Sequence, residues 1–142
     1  MLKLMYITNS PEVASIADGA GVDRIFIDLE QYGKEKRQKN WDSVKSKHSI
    51  SDIPKVKSAV KNAQIFVRTD PIFDGFSDEL EGVLACEPDV VMLPYFKTVR
   101  EIETFIKAVD GRATTSLLLE TKEAAEQIDD IISVGGIDEI HI

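Results

Sequence analysis

The sequence predicts an α/β protein, an incomplete (β/α)8 barrel of about five and a half βα units. Short apolar runs begin near residues 2, 24, 64, 90, 113 and 137 and alternate with amphipathic stretches, so a strand–helix unit recurs roughly every 22 to 26 residues apart from one insertion. The run up to Leu119 reads as a buried apolar strand that ends in Glu120, and the other runs are rich in Val, Ile, Leu and Phe, as parallel strands covered on both faces require. Several of them end abruptly in a charged residue, and the carboxyl ends of parallel strands are where such folds keep their sites.

A closed barrel of eight units needs roughly 200 to 250 residues. This chain has 142, and its last apolar run, Ile137 to Ile142, would leave a strand edge unpaired. The expectation is one barrel domain over residues 1–142, truncated at the carboxyl end. The alternative is an open five- or six-stranded sheet, complete in itself.

Leu2 to Thr8 reads as the first strand, and Ser10-Pro11-Glu12 then supplies the cap, first-turn proline and acidic residue that open a helix. Gly19 and Gly21 close that helix. They precede a strand instead of following one, so Gly19-Ala20-Gly21 is no dinucleotide fingerprint. Arg24 to Glu30 is the second strand, ending in Asp28 and Glu30.

Residues 31–49 break the rhythm with six basic side chains against two acidic ones, a net +4 in a chain of net charge −8. This segment reads either as a solvated loop or as a lid over an anionic ligand, since a long insertion after a barrel strand lies on the site face. Ser51 to Ala63 is predicted as a helix, Gln64 to Thr69 as a strand carrying Arg68 at its end, and Ser77 as the cap of the next helix. Val90 to Pro94 follows as a strand. Thr98 to Glu101 is a capping box opening a helix that stops at Asp110-Gly111. Ala113 to Leu119 is the fifth strand, ended by Glu120, and one helix is expected from Thr121 to Ile132.

Composition narrows the partners. The net charge of −8 disfavours nucleic acid and anionic membrane surfaces. No 18-residue apolar stretch and no signal-peptide pattern is present, so a cytoplasmic protein is expected. Cys86 is the sole cysteine, which excludes an intrachain disulfide and a multi-cysteine zinc site; among Val83, Leu84 and Ala85 it reads as a buried helix residue, not a nucleophile.

With parallel strands, Asp28, Glu30, Arg68, Pro94, Tyr95 and Glu120 share one face. Carboxylates suit a hard divalent cation, and a guanidinium fork suits a substrate carboxylate. The competing reading is a set of structural ion pairs around the rim. Ile27-Asp28-Leu29-Glu30, Val67-Arg68-Thr69-Asp70-Pro71, Val91-Met92-Leu93-Pro94, Leu119-Glu120-Thr121 and Ile137-Asp138-Glu139-Ile140, in this order over essentially the whole chain, resemble the HpcH/HpaI aldolase and citrate lyase beta-subunit family.

The resemblance implies a TIM barrel of the phosphoenolpyruvate and pyruvate superfamily that makes or breaks a carbon–carbon bond beside a 2-oxo acid or an acyl-CoA. It implies that Glu120 is a ligand of Mg2+ or Mn2+, and that Arg68 holds the carboxylate and enolate oxygen of a pyruvate-like substrate. Asp28 and Glu30 would stand beside the metal-bound waters and complete the catalytic set; Pro94, Gln31 and His48 join Arg68 as substrate-binding residues. The family's second metal ligand is an aspartate in a Gly-x-x-Asp-Leu segment that would fall just past Ile142. The fragment alone is therefore expected to be inactive, and the full-length protein is expected to form homo-oligomers.

One departure stands out. In the aldolase branch a histidine follows the Asp-x-Glu motif, and here it is Gln31, which takes no proton at neutral pH. His48 is expected to be a solvated loop residue that could swing in, and His141 a structural residue on its strand. Lys97, past a strand in a loop, is poorly placed for a Schiff base. Tyr32, Trp41 and the basic insertion are candidates for gripping a second substrate or a phosphate. Two other classes compete: a barrel enzyme for a phosphorylated substrate, whose phosphate loops would follow strands seven and eight, and a non-catalytic α/β module. Strand one ends in Thr8-Asn9 and strand three in Arg68, which disfavours a receiver-like site.

Overall fold

The computed structural model describes residues 2–31 and 47–142. The body of the insertion, with Tyr32 and Trp41, lies outside the described residues. Six strands form one sheet in chain order: β1 (Met5–Ile7), β2 (Arg24–Asp28), β3 (Gln64–Arg68), β4 (Val90–Leu93), β5 (Thr114–Leu118) and β6 (Glu139–His141). Every neighbouring pair is parallel. The helices between them are α1 (Pro11–Gly19), α2 (Asp52–Ala59), α3 (Phe76–Leu84), α4 (Val99–Val109), and the short α5 (Lys122–Ala125) and α6 (Ile128–Ile132).

Local chemistry accounts for the helix ends. Ser10 Oγ accepts the Val13 amide at 3.3 Å, with Pro11 in the first turn. Thr98 and Glu101 form a reciprocal capping box, and α4 ends at Asp110, which is left-handed at φ 50°. Several boundaries differ from the sequence-based expectation. α2 stops at Ala59 because the buried Asp18 carboxylate of α1 takes the amides of Lys61, Asn62 and Ala63 at 2.8, 3.0 and 2.7 Å, drawing the chain out of the helix.

Ser77 is not the cap of α3. The helix starts at Phe76 behind Gly75, whose missing side chain leaves room for the Phe73 ring; a Cβ there would lie 2.7 Å from it. The single helix expected from Thr121 is interrupted at Gln127, whose side-chain amide donates to the Lys97 and Glu123 carbonyls. β1 is also shorter than expected.

The middles of β2, β3 and β4 are apolar because they serve two cores. Ile25, Ile27, Ile65, Val67, Val91 and Leu117 pack outward against the helices, joined by Leu80, Ile102 and Phe105. The alternate positions Phe26, Phe66, Val90 and Met92, with Leu118, form a second cluster on the inner face. Phe26 and Phe66 meet edge to face with centroids 5.0 Å apart.

An ion pair shows the curl of the sheet. The Arg24 guanidinium on β2 meets the Glu139 carboxylate on β6 through two bonds of 2.7 and 2.5 Å. In a flat sheet four strand spacings would separate these strands by roughly 19 Å. The sheet therefore bends into an incomplete barrel, as the sequence predicts. Arg24 also donates to Gln64 Oε1 at 3.0 Å and lies 5.5 Å from the centre of the Phe66 ring. Glu139 holds the Arg24 charge firmly on, and Arg24 in turn draws Glu139 below the usual carboxylate range.

Arg24→Ala is expected to cost about 3 kcal/mol in urea unfolding, because it leaves a partly buried carboxylate unpaired. The double variant Arg24→Met/Glu139→Leu should recover most of that loss. Equal stability of the single and double variants would show that the pair does not hold the curl.

Candidate functional site at the carboxyl ends of the strands

Asp28 and Arg68 end β2 and β3 and are direct partners in the ladder. Arg68 Nε donates to Asp28 Oδ1 at 2.9 Å and Nη2 to Oδ2 at 2.8 Å, a two-pronged fork. Glu30 Oε2 lies 3.4 Å from the same Nη2, and the Glu30 amide donates to Asp28 Oδ1 at 3.2 Å. Burial opposes the Arg68 charge, but its bonds to Asp28 and the charges of Asp28, Glu30 and Glu120 outweigh it, so its pKa is raised. Nη1 has no hydrogen-bond partner among the described residues. The structure thus gives Asp28 and Glu30 a common task, holding one guanidinium.

Glu120 follows β5 and is exposed. Its Oε1 accepts the Tyr95 amide at 3.0 Å. That contact depends on Tyr95 adopting a left-handed φ of 49° immediately after the buried Pro94. The next turn is fastened by Thr121, whose hydroxyl donates to the Phe96 carbonyl at 2.7 Å while accepting the Ala124 amide. Glu120 Oε2 has no hydrogen-bond partner among the described residues.

The turn after β2 is tied to the turn after β3. The Gln31 amide donates to Asp70 Oδ1 at 2.6 Å, and the Asp70 amide donates to Glu79 Oε1 on α3 at 3.1 Å. Glu79 Oε2 is buried without a hydrogen-bond partner among the described residues. Burial pushes the Glu79 carboxyl up to about 7; the Asp70 amide works against this and the Asp70 charge adds to it.

His48 departs from expectation. It is not a solvated loop residue but is 6% exposed, and its Nδ1 accepts the Asp28 amide at 2.9 Å. The Gln31 side-chain amide donates to the His48 carbonyl at 3.3 Å. The following turn is pinned by Asp52, which accepts from Asn9 and from the Ser49 amide and hydroxyl. Though its burial works the other way, bonds from Asn9, Ser49 and Lys55 hold Asp52 down to about 2. Sequence reading missed this because the ring reaches the site through a backbone amide, a contact with no residue signature.

Two expected bystanders stay apart from this cluster. Lys97 pairs with Glu123 at 3.1 Å on the surface and lies 5.6 Å from the Tyr95 ring centre. His141 sits on the inner face, 5.6 Å from Phe66 and 3.4 Å from Glu139. Asp70 and Glu79 were not singled out from sequence, although Asp70 lies within one of the quoted motifs; nothing in α3's periodicity marks Glu79 as reaching the rim.

As a hard oxygen donor with one unpartnered oxygen, Glu120 fits a divalent cation. Among the described residues no group of three or more His, Cys, Asp or Glu is arranged to hold one. No described helix is long and apolar enough to cross a membrane.

Glu79 binds a proton more readily in the folded chain than when unfolded. Its contribution to stability is full below about 4.5, the ordinary value, and is lost as pH rises through about 7. Glu79→Gln should remove this decline between pH 5 and 8 in denaturant titrations; an unchanged slope would refute the shift.

A sequence profile of the HpcH/HpaI aldolase/citrate lyase family matches residues 3–142. No curated protein matches at a significant level. Solved structures do. The HpcH/HpaI aldolase of Desulfitobacterium hafniense DCB-2 superposes with a TM-score of 0.71 at 15% identity, over 97% of this chain and 61% of that one. An HpcH/HpaI aldolase/citrate lyase family protein of Burkholderia cenocepacia J2315 gives 0.76 at 12% identity, over 97% and 62%. A citrate synthase gives 0.73 at 16%, over 97% and 59%. At such identities the superpositions speak for the fold, and the chain spans about three-fifths of the length of these relatives. The profile match over nearly every residue shows that the chain belongs to the HpcH/HpaI aldolase/citrate lyase family.

Proposed function

We propose that the full-length protein is a metal-dependent carbon–carbon lyase of the class II aldolase type, acting on a 2-oxo acid or acyl-CoA through a pyruvate-like enolate. The observation that carries this reading is Arg68: a charged guanidinium at a strand end, fixed on two nitrogens by Asp28, with Nη1 unpartnered among the described residues. A group so held binds an anionic oxygen without first having to be ordered. Family membership supports the reaction class.

In this reading Arg68 receives the substrate carboxylate and enolate oxygen through Nη1, and Asp28 and Glu30 keep the guanidinium aligned and charged. Pro94 and Gln31 are substrate-facing. His48 acts from behind Asp28. Glu120 is one ligand of Mg2+ or Mn2+ through its unpartnered oxygen; when bound, the cation stabilises charge that develops on the enolate. Gln31 carries no proton-accepting group, so proton transfer falls to another group. We further assign residues 1–142 to one barrel domain of a cytoplasmic homo-oligomer.

The test is exchange of pyruvate methyl protons with deuterated solvent, followed by NMR on the full-length protein. Exchange should require Mg2+ or Mn2+ and disappear with chelator. Arg68→Ala is expected to slow it by roughly 10²- to 10³-fold, the usual cost of removing an oxyanion-binding donor, and Glu120→Ala to abolish its metal dependence. A folded full-length protein with no metal-dependent exchange would sink the pyruvate-type assignment.

A further inference from the structure

The backbone amide of Asp28 can only donate. Since it points at His48 Nδ1 at 2.9 Å, that nitrogen carries no proton and the ring is the neutral tautomer protonated at Nε2. In this state the ring cannot take a proton at Nδ1 without setting two N–H groups against each other. The residue that looks like a substitute for the histidine missing at position 31 is therefore not poised as a base.

The same bond fixes something else. Asp28 is the last residue of β2, and β1 has ended at Ile7, paired with Phe26. A side chain thus takes the amide at this strand end, on the residue whose carboxylate grips Arg68. We propose that His48 is a positioning residue for the anion-binding guanidinium: locked as the Nε2–H tautomer, it anchors the Asp28 backbone and so the carboxylate on which Arg68 is aligned. Gln31 braces it through the His48 carbonyl, and Asp52 with Asn9 holds the turn that delivers it. The consequence for catalysis rests on the reading of Arg68 given above. The anchoring itself does not.

The tautomer is read from the ring 15N resonances of histidine-labelled protein. The chain has only two histidines, so His141→Gln assigns them. His48 should show an unprotonated, hydrogen-bonded Nδ1 and a protonated Nε2. The alignment is read from hydrogen exchange at Arg68 Nε–H, assigned by Arg68→Lys. His48→Asn places an acceptor oxygen near the Nδ1 position and should keep that proton protected. His48→Gln moves its polar group outward and should speed exchange about tenfold, the equivalent of one lost hydrogen bond.

An Nδ1-protonated ring, or equal exchange in the Asn and Gln variants, would overturn the proposal. The tautomer measurement on the unmutated chain decides even where His48→Gln fails to fold. None of these readouts needs substrate, so a protein that passes them yet lacks pyruvate exchange refutes the lyase reading alone.

Discussion

Each inner strand of this chain is covered on both faces, and that constraint dictates the rest. Side chains pointing outward must meet the helices and those pointing inward must meet each other, so β2 to β4 carry polar groups only at their ends, and β5 alone buries small hydroxyls, Thr115 and Ser116, in its middle. The charges that gather there, Asp28 and Arg68 at the carboxyl ends and Arg24 and Glu139 lower in the curl, are what remains once the middle has been filled. A site at the strand ends is thus a product of covering the sheet as much as of chemistry.

Inside the curl the two ionic groups are separated by an aromatic step. Phe26 and Phe66 lie between them in their strands; Arg24 stacks near Phe66 and Arg68 lies 5.5 Å from the centre of Phe26. Each ring lies close enough to a guanidinium for a cation–π attraction. The lower pair bridges distant strands and shapes the sheet. The upper pair joins neighbours and leaves one nitrogen without a hydrogen-bond partner among the described residues, and this difference in reach separates a structural ion pair from a candidate binding group.

Much of this was legible in the sequence, because periodicity and strand-end charges are local. The order of the elements, the capping box at Thr98, and the placing of Asp28, Arg68 and Glu120 on one face all follow from neighbours in the chain. What escaped were contacts made by one segment on another's backbone. Asp18 cut α2 short by capturing three amides more than forty residues away. His48 left solvent for the Asp28 amide, and Glu79 reached across to Asp70. Each depends on a backbone amide, which every residue but proline possesses, so no side-chain pattern announces it.

The bond between Arg24 and Glu139 joins residues 115 positions apart. A chain emerging from the ribosome would therefore present Arg24 long before its counter-ion exists. The outer-face packing of each strand on its own helix can form in the meantime, since those contacts are short in sequence. The curl that this ion pair fixes therefore waits for β6, whereas the packing of each strand on its own helix does not.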